Sequence, residues 1–408
     1  MYNTVESDKK TKEIYLDYAA LAPIDQEVLK KMLPYYNFKY GNPSSLHTNG
    51  RRAKQVLERA RGKIARIINA LPEEIIFTSS GTEADNLALL GVARGNREKG
   101  KRILISAIEH KAVLEAAKSL EKEGFEIDII PVDQYGMINI EKCLTLIKKE
   151  TILISVMYVN NEIGTIEPVQ ALVSALKKIN PLFRPLLHTD ACQASNLLSL
   201  DVKELGVDLM TVNSSKIYGP LGAACLYKKS DVKLNPIIVG GEQEKNLRAG
   251  TENIPLIVGF AEALEKAQKI RDSEYKKFKN LEKYFIKKLK EKIPEIIFNG
   301  HPINKIPSTV HVSVPLIEGE SAVLMLDQYG IRASTGSACS AFDLRPSHVL
   351  SAIGQNPDLM HGSIRFSMGR STTREQLDVV LKFFPEIINK LKSISILTLK
   401  KHPSRTKF

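Results

Sequence analysis

A lysine and an aspartate that each follow a predicted strand give this sequence its clearest chemical signal. Lys216 lies in the segment Ser214–Pro220, and Asp190 lies 26 residues earlier, at the end of an apolar run. An amine that can form a Schiff base and a carboxylate that keeps a pyridine nitrogen protonated are what pyridoxal phosphate requires. Each residue also has a simpler interpretation, because Asp190 can cap the next helix and Lys216 can be a surface lysine.

Three further side chains are suited to bind or transform a ligand. His110 follows a predicted strand, where an imidazole can stack on a cofactor ring and exchange protons with a substrate. Arg365 alternates with apolar residues on a predicted strand, and its guanidinium can hold a carboxylate at two points or form an ion pair between domains. Cys339 lies among Ser, Gly and Ala residues, which favours a mobile, exposed thiol over a buried, inert one.

The segment from Thr78 to Asn86 has the composition of an anion-binding helix start. It follows a predicted strand, and the small residues around Gly81 and Thr82 let backbone amides and the helix dipole approach a phosphate. The alternative is a helix start in which serine and threonine side chains simply cap the amides. Taken alone, the segment is a weak indication of phosphate binding.

An α/β domain is predicted to position these residues. Short apolar runs alternate with amphipathic helical stretches, beginning with a predicted helix over residues 44–70. Several runs are apolar almost throughout, as in parallel strands that are covered on both faces, so we expect a mostly parallel sheet. The predicted strands are Glu74–Ser79, Arg102–Ala107, Glu126–Val132, Thr151–Val159, Pro185–Asp190, Leu209–Asn213 and Ala223–Tyr227.

A smaller domain is predicted after a long amphipathic helix over residues 254–292. A strand, a helix, a strand and a final helix are predicted at Thr309–Val314, Ala322–Tyr329, Ser363–Met368 and Ser371–Leu391. Thr372 or Thr373 is the predicted N-cap of that final helix.

These elements predict a large domain over residues 14–265, of which residues 14–25 are expected to pack on the small domain. The small domain is expected to span residues 266–395 and to carry the segment with Cys339. Residues 1–13 and 396–408 are predicted to be flexible tails.

Composition and charge exclude several classes of protein. No apolar run approaches about 18 residues and the first residues are polar, so we expect a cytoplasmic protein with no membrane span. The four cysteines are widely spaced, which argues against a metal site or a disulfide framework. The net charge of +12 is concentrated between Lys266 and Lys292 and in the tail. A solvated lysine-rich surface accounts for this charge, so we expect no direct nucleic-acid partner.

Segments along nearly the whole chain, from about Ile14 to Leu391, resemble one family. They are similar to the group I cysteine desulfurases of the NifS/IscS type, in the class V aminotransferase group of pyridoxal-phosphate enzymes. The matching motifs are Tyr15–Ala20, Gly41–Ser45, Thr78–Asn86, Glu109–Val113, Val159–Gly164, Asp190–Gln193, Lys216–Pro220, Leu247–Asn253, Gly336–Cys339 and Ile364–Arg370. The resemblance implies pyridoxal-phosphate fold-type I, an aspartate-aminotransferase-like large domain with a mostly parallel seven-stranded sheet and a smaller α+β C-terminal domain.

The resemblance also implies roles for individual residues. It makes Lys216 the Schiff-base lysine, Asp190 the partner of the ring nitrogen, His110 the stacking acid-base residue and Cys339 the persulfide-forming residue. The other implied ligands are Gly81 and Thr82 for the phosphate, Asn161 and Gln193 for the ring hydroxyl, Thr251 for the phosphate of the second subunit of a homodimer, and Asn42 and Arg365 for the substrate carboxylate. No metal ligand is implied.

The chain departs from the family pattern beside the lysine. Asn213, Ser214 and Ser215 occupy the positions where the family commonly has Ser-Gly-His, whose serine and histidine help to bind the phosphate. Asn213 and Ser215 retain hydrogen-bond donors, so we expect cofactor binding to persist with altered affinity.

The activity implied by the resemblance is conversion of L-cysteine to L-alanine, with sulfur transferred to Cys339 as a persulfide. A sulfur-acceptor protein would then use it for iron–sulfur cluster assembly or tRNA thiolation, and the sequence does not choose between them. Two alternatives stay open at this point: a selenocysteine lyase or other β-elimination lyase on the same fold, and a non-enzymatic basic scaffold.

Overall fold

The computed structural model describes residues 13–37, 39–336 and 347–394. Cys339 and, apart from Glu13, both predicted tails lie outside these residues. The strands are β1 Ile14–Tyr15, β2 Ile75–Thr78, β3 Arg102–Ser106, β4 Glu126–Ile130, β5 Thr151–Ser155, β6 Leu186–Asp190, β7 Leu209–Asn213, β8 Ala224–Lys228, β9 Ile297–Asn299, β10 Thr309–Ser313, β11 Ile331–Arg332 and β12 Ser363–Ser367.

The helices connect and cover these strands. They are α1 Gln26–Met32, α2 Thr48–Ile67, α3 Gly81–Gly95, α4 Lys111–Glu121, α5 Ile140–Leu146, α6 Val169–Leu176, α7 Val202–Leu205, α8 Gln243–Asn246, α9 Ile254–Lys292, α10 Gly319–Gln328, α11 His348–Ala352, α12 Pro357–Met360 and α13 Arg374–Ile394, with 3₁₀ turns at Leu33–Tyr36 and Pro72–Glu74. The predicted long helix over residues 254–292 is confirmed as α9.

The large sheet has the strand order β2-β8-β7-β6-β5-β3-β4. The five strands from β4 to β7 in this order are parallel, and β8 runs antiparallel to both β7 and β2. A strand forms at each of the seven predicted positions, so the expected α/β fold with a mostly parallel seven-stranded sheet is confirmed.

Helices cover both faces of this sheet because successive strand residues point to opposite sides. On β3, Ile103 and Ile105 belong to the core layer formed with α3 and α4. Leu104, between them, belongs to the layer formed with α2, α6 and α9. The near-continuous apolar runs of the sequence therefore reflect burial on both faces.

A smaller antiparallel sheet, β12-β10-β9, packs with α10, α13 and the C-terminal half of α9, in a core continuous with the layer that contains Leu104. The Phe366 ring packs edge-on against Phe285 and Phe384, with centroids 5.5 and 5.3 Å away. The chain start reaches this region, since β1 pairs with β11 and the Leu16 carbonyl accepts from the Ser367 amide at 2.7 Å. None of the helices in the described ranges has an apolar stretch that would span a lipid bilayer.

Candidate active site

One face of the large sheet changes from apolar to polar at the carboxyl ends of its strands. On β6, His188 and Asp190 are two residues apart and therefore point to the same side, toward α3. The register pairs His188 with Ser155 and Asp190 with Thr211 on the neighbouring strands. Polar groups from three parallel strands thus gather at one edge, where open α/β sheets place ligands.

A cavity of about 230 Å³ opens at this edge. Nine of the predicted site residues line it: Gly81, Thr82, His110, Asn161, Asp190, Gln193, Asn213, Lys216 and Arg365. The other lining residues are Ala19, Ala20, Ser80, Asp85, Met157 and Cys192. The structure thus brings together the predicted lysine, aspartate, histidine and arginine, which are far apart in sequence.

The N-terminus of α3 forms one wall of the cavity. Ser80 caps the helix by accepting from the Glu83 amide at 3.1 Å, and Gly81 begins the helix. A Cβ atom at Gly81 would lie 3.0 Å from Cys192 Sγ and 3.3 Å from Asn213 Nδ2, so a side chain here would crowd both neighbours. The capping interpretation of this segment is confirmed, and the position of Gly81 and Thr82 in the cavity lining is what the phosphate interpretation requires.

Asp190 lies almost completely buried at the carboxyl end of β6, with 6% of its surface exposed. Its Oδ1 accepts a hydrogen bond from the Cys192 amide at 2.9 Å and stabilises a turn. The predicted N-cap role is wrong, because the next helix begins at Val202 with Asp201 as its N-cap. The Asp190 side chain also lines the cavity.

Lys216 approaches the cavity from the turn after β7. Its Nζ donates to the Ala20 carbonyl oxygen. The turn contains Tyr218 with φ of 64°, a conformation that costs about 1–2 kcal/mol for a residue with a side chain. Packing holds it there, since the Tyr218 hydroxyl accepts from the Arg370 amide at 2.7 Å and the Arg370 guanidinium lies 3.9 Å from the ring centre.

The His110 side chain has one ring nitrogen committed to the protein. It is the N-cap of α4, and its Nδ1 accepts from the Ala112 amide at 3.1 Å. Because Nδ1 accepts, the neutral ring carries its proton on Nε2. The cap therefore fixes the tautomer of a histidine that lines the cavity.

Arg365 joins the two sheets at the cavity. It is 2% exposed on β12, and its Nη2 donates to Asp17 Oδ1 at 2.9 Å while Nη1 donates to the Asn161 carbonyl at 2.8 Å. Its Nε has no hydrogen-bond partner among the described residues. Of the five guanidinium N–H groups, those not engaged here can bind a carboxylate.

Gln193 also divides its side chain between scaffold and cavity. Its Nε2 donates to the Ala19 carbonyl at 2.9 Å, which ties the segment after β6 to the N-terminal residues. Asn161 lines the cavity beside it, and its backbone carbonyl orients Arg365.

Three predicted site residues lie outside the cavity lining. Asn42 is exposed, with its Oδ1 accepting from the Ser44 amide at 2.9 Å. The Ser215 carbonyl accepts from the Ala22 amide at 3.0 Å. Thr251 is exposed at a separate cavity of about 240 Å³, which Arg248 also lines.

Sequence reasoning missed Asp85 as a lining residue and Glu109 as a buried neighbour. Asp85 is four residues after Gly81 on α3, a spacing that places both on one helix face and could have revealed it. Glu109 directly precedes His110 and is fully buried, and the Met157 amide donates to its Oε1 at 2.7 Å.

The donor set fits pyridoxal phosphate. The capped N-terminus at Gly81 offers amides for a phosphate, Asp190 offers a carboxylate for a ring nitrogen, and Lys216 offers an amine for an aldehyde. Asn213 adds an amide side chain whose buried Oδ1 has no hydrogen-bond partner within the described ranges. Among the described residues, no group of three or more His, Cys, Asp or Glu side chains could hold a metal ion.

Comparisons with known proteins agree with this assignment. The profile of the aminotransferase class-V family matches residues 14–380. The chain is 46% identical to cysteine desulfurase IscS of Dictyoglomus turgidum, covering 94% of this chain and 96% of that protein. It is 45% identical to cysteine desulfurase IscS 1 of Archaeoglobus fulgidus, covering 94% and 99%.

A solved structure of a NifS-like protein superposes with a TM-score of 0.87 at 35% identity, covering 93% of this chain and all of the other. These matches extend over both sheets and include the segments that line the cavity. The chain therefore belongs to the class-V aminotransferase family and, within it, to the cysteine desulfurases of the NifS/IscS type.

Proposed function

We propose that this enzyme converts L-cysteine to L-alanine, using pyridoxal phosphate held by Lys216 and Asp190, and passes the sulfur to Cys339 as a persulfide. The observation that carries the proposal is the convergence of Lys216, Asp190, His110 and Arg365 on one cavity at the carboxyl edge of the sheet. The names of the relatives support the same activity.

The cofactor is held at three points. Amides at Gly81 and Thr82 and the Asn213 side chain would bind the phosphate, Asp190 would keep the ring nitrogen protonated, and Lys216 would provide the amine for attachment through Nζ. When bound, the cofactor supplies an electron sink for the α-carbon of an amino acid. His110 would lie beside the ring, and Gln193 and Asn161 would bind its hydroxyl.

The substrate is oriented by its carboxylate. Arg365 presents its uncommitted N–H groups to the cavity, and the Asp17 and Asn161 contacts prevent the guanidinium from turning away. Asn42 is the second proposed carboxylate ligand. Lys216 would remove the α-proton, and His110, whose neutral ring carries its proton on Nε2, would be a second proton donor in the cavity.

Sulfur transfer requires a thiolate nucleophile. The Cys339 thiolate attacks the substrate sulfur, so an S–S bond forms as the Cβ–S bond breaks, and its electron pair remains on the carbon skeleton. Protonation of Cβ and return of a proton from Lys216 to Cα then give alanine. Cys192 also lines the cavity, but its burial, together with the nearby Asp190 charge, raises the pKa of its thiol well above the usual value and makes it a poor nucleophile.

The described residues nearest Cys339 support this assignment. A Cβ atom at Gly336 would lie 2.7 Å from Glu162 Oε2, and the Ser347 hydroxyl donates to the same oxygen at 2.5 Å. Glu162 adjoins Asn161 of the cavity lining. Gly336, three residues before Cys339 in the sequence, therefore lies near this side of the cavity lining.

The protein is further proposed to be a cytoplasmic homodimer that delivers sulfur to an acceptor protein, either an iron–sulfur scaffold or a tRNA-thiolating enzyme. Thr251 is exposed and lines a cavity separate from the one that Lys216 lines. This position is consistent with a contact to the phosphate bound by a second subunit. No direct contact with nucleic acid or membrane is proposed.

The decisive experiment measures cofactor absorbance and alanine formation from L-cysteine. We expect Lys216→Ala to lose the visible band of the lysine-bound cofactor, and Cys339→Ser to keep this band but form no persulfide. Cys143→Ala is the matched control, since Cys143 is a core residue whose burial raises its pKa to about 11. Native sulfur transfer by the Cys339→Ser variant would refute the role of Cys339. A strong preference for L-selenocysteine would instead identify a selenocysteine lyase.

A further inference from the structure

A second carboxylic acid, Asp85, shares the cavity with Asp190. It lies on α3 four residues after Gly81, is 1% exposed and lines the cavity. Its Oδ1 has no hydrogen-bond partner in the described part of the chain. A buried carboxyl group aimed into a ligand cavity without a cationic partner calls for a physical explanation.

His188 lies between Asp85 and the neighbouring strands. Its Nε2 is 3.6 Å from Asp85 Oδ1 and 3.0 Å from Thr211 Oγ1, and its Nδ1 is 2.9 Å from Ser155 Oγ. Complete burial lowers the pKa of His188 to about 4, although the Asp190 charge opposes this. The imidazole is therefore neutral near pH 7 and cannot compensate an ionised Asp85.

The other charged groups around Asp85 also disfavour its ionisation. Burial raises its pKa well above the usual value, and the charge of Asp190 on β6 acts in the same direction. A hydrogen bond with Thr211 on β7 opposes them only in part. One protonated ring nitrogen can compensate one carboxylate, so a second negative charge would remain buried and unpaired.

We propose that Asp85 is a neutral carboxylic acid which, with His188, forms an uncharged polar layer beside Asp190, so that the cavity presents a single negative charge to the ring nitrogen. This inference rests on the proposed function, because it assigns Asp190 to the cofactor. Asp85 is a positioning residue here: it acts through His188 and Asp190, and it preserves the one-to-one pairing of carboxylate and ring nitrogen.

The test compares Asp85→Asn, Asp85→Ala and Asp190→Asn. Asparagine is a neutral isostere of a protonated aspartate, so we expect Asp85→Asn to keep the cofactor dissociation constant within about threefold between pH 6 and 9, that is within about 0.7 kcal/mol. Asp85→Ala removes the polar contact and should weaken binding about tenfold. Asp190→Asn, which removes the paired charge, should weaken binding more than either. Equilibrium dialysis measures the cofactor dissociation constant of the wild type and the three variants. Thermal midpoints verify that each variant is folded.

Infrared difference spectroscopy supplies a readout that needs no cofactor. Wild type minus Asp85→Asn, both as apoprotein near pH 7, should show the carbonyl stretch of a protonated carboxylic acid. A carboxylate band in place of this stretch would overturn the proposal. The proposal would also be overturned if the Asp85→Asn protein bound cofactor as poorly as the Asp190→Asn protein. Unchanged affinity in Asp85→Ala would refute the positioning role. Failure of wild type to bind cofactor would refute the proposed function while leaving the infrared result on Asp85 intact.

Discussion

Several site residues use one atom to build the scaffold and leave another for the ligand. His110 commits Nδ1 to the start of α4, Asp190 commits Oδ1 to the Cys192 amide, and Gln193 commits Nε2 to the Ala19 carbonyl. This division explains why a capping interpretation and a catalytic interpretation of the same residue were both reasonable from the sequence. It also pre-organises the side chains, since each is held before a ligand arrives.

Glu109 predicts a pH dependence of stability. Burial raises its pKa from 4.5 to about 8, although hydrogen bonds from Ser106 and Met157 oppose the shift. The folded state therefore binds a proton that the unfolded state releases between these values, and the resulting stabilisation is complete below about pH 4.5 and is lost as pH rises through 8. Glu109→Gln lacks this loss. The melting temperature of this variant should therefore rise relative to that of the wild type as the pH increases from 6 to 9.

The matched control for this measurement is Glu115→Gln, at an exposed position on α4. Its melting temperature relative to wild type should not change with pH in the same window. A constant difference for Glu109→Gln between pH 6 and 9 would contradict the buried, protonated state of Glu109.

A charge-conserving substitution of Arg365 should weaken substrate binding. Arg365→Lys keeps a cation but cannot contact Asp17, the Asn161 carbonyl and a substrate carboxylate together, because an ammonium lacks the planar fork. We expect KM for L-cysteine to rise about tenfold, or about 1.4 kcal/mol, with a smaller change in kcat. Arg332→Lys, on β11 at a side chain that is 39% exposed, is the control. A pure kcat effect would argue against a carboxylate-binding role.

At the scale of elements, an ion pair connects the end of α3 that we propose to bind phosphate to the segment that carries Thr251. Arg248 Nε lies 2.7 Å from Glu83 Oε1, and the other Glu83 oxygen accepts from the Ser79 amide at 2.9 Å. Although burial acts to raise the pKa of Glu83, the hydrogen bonds from Arg248 and Ser79 lower it overall. The pair is thus a structural connection between the helix N-terminus and this segment.

Breaking this pair should weaken cofactor binding without removing a cofactor ligand. We expect Arg248→Gln to raise the cofactor dissociation constant about three- to tenfold, equivalent to about 0.7–1.4 kcal/mol. Glu83→Gln should have a similar effect, and the double variant should be no worse than the poorer single variant, because both remove the same contact. Full additivity in this cycle would show that the two residues act independently.

A buried ion pair stabilises a turn with unfavourable backbone angles in the segment just before Arg248. Glu244, Lys245 and Asn246 have φ of 44°, 58° and 63°, and Glu244 Oε1 accepts from Arg61 Nη2 at 2.7 Å. Arg61→Leu would leave the Glu244 carboxylate buried without its partner, at a cost of about 3–5 kcal/mol. Urea unfolding should show this loss, whereas exposed Arg59→Leu on the same helix should change little. Equal stability of the two variants would contradict this assignment.

At the scale of the whole molecule, the proposed homodimer predicts complementation between two defective variants. If Thr251 contacts the phosphate bound by the partner, a mixed dimer of Lys216→Ala and Thr251→Ala protomers contains one site with both native residues. Random mixing makes half of the dimers mixed, so activity at limiting cofactor should recover to about a quarter of wild type. The control is a double variant mixed with wild type, whose mixed dimers contain no intact site. Absence of recovery in stable dimers would refute the shared site.

Local periodicity was enough to place the elements. Buried runs such as Leu209–Asn213 and the amphipathic pattern of Ile254–Lys292 have their predicted bounds in the structure, because burial on two faces or on one stripe is written into neighbouring residues. The three-residue strand Ile297–Asn299 was missed, since it is too short to show a period. The ordered motifs were likewise sufficient to indicate the family.

Only the tertiary structure decided which residues meet. The order of the strands, the antiparallel direction of β8 and the pairing of β1 with β11 depend on contacts between distant segments, which no local pattern encodes. For the same reason, only the fold revealed that Asp85 and Asp190 are buried side by side. It also revealed that Thr251 lies outside the cavity that Lys216 lines. Residue types identified the chemistry of this protein, and packing determined the charge state and the neighbours of each group that performs it.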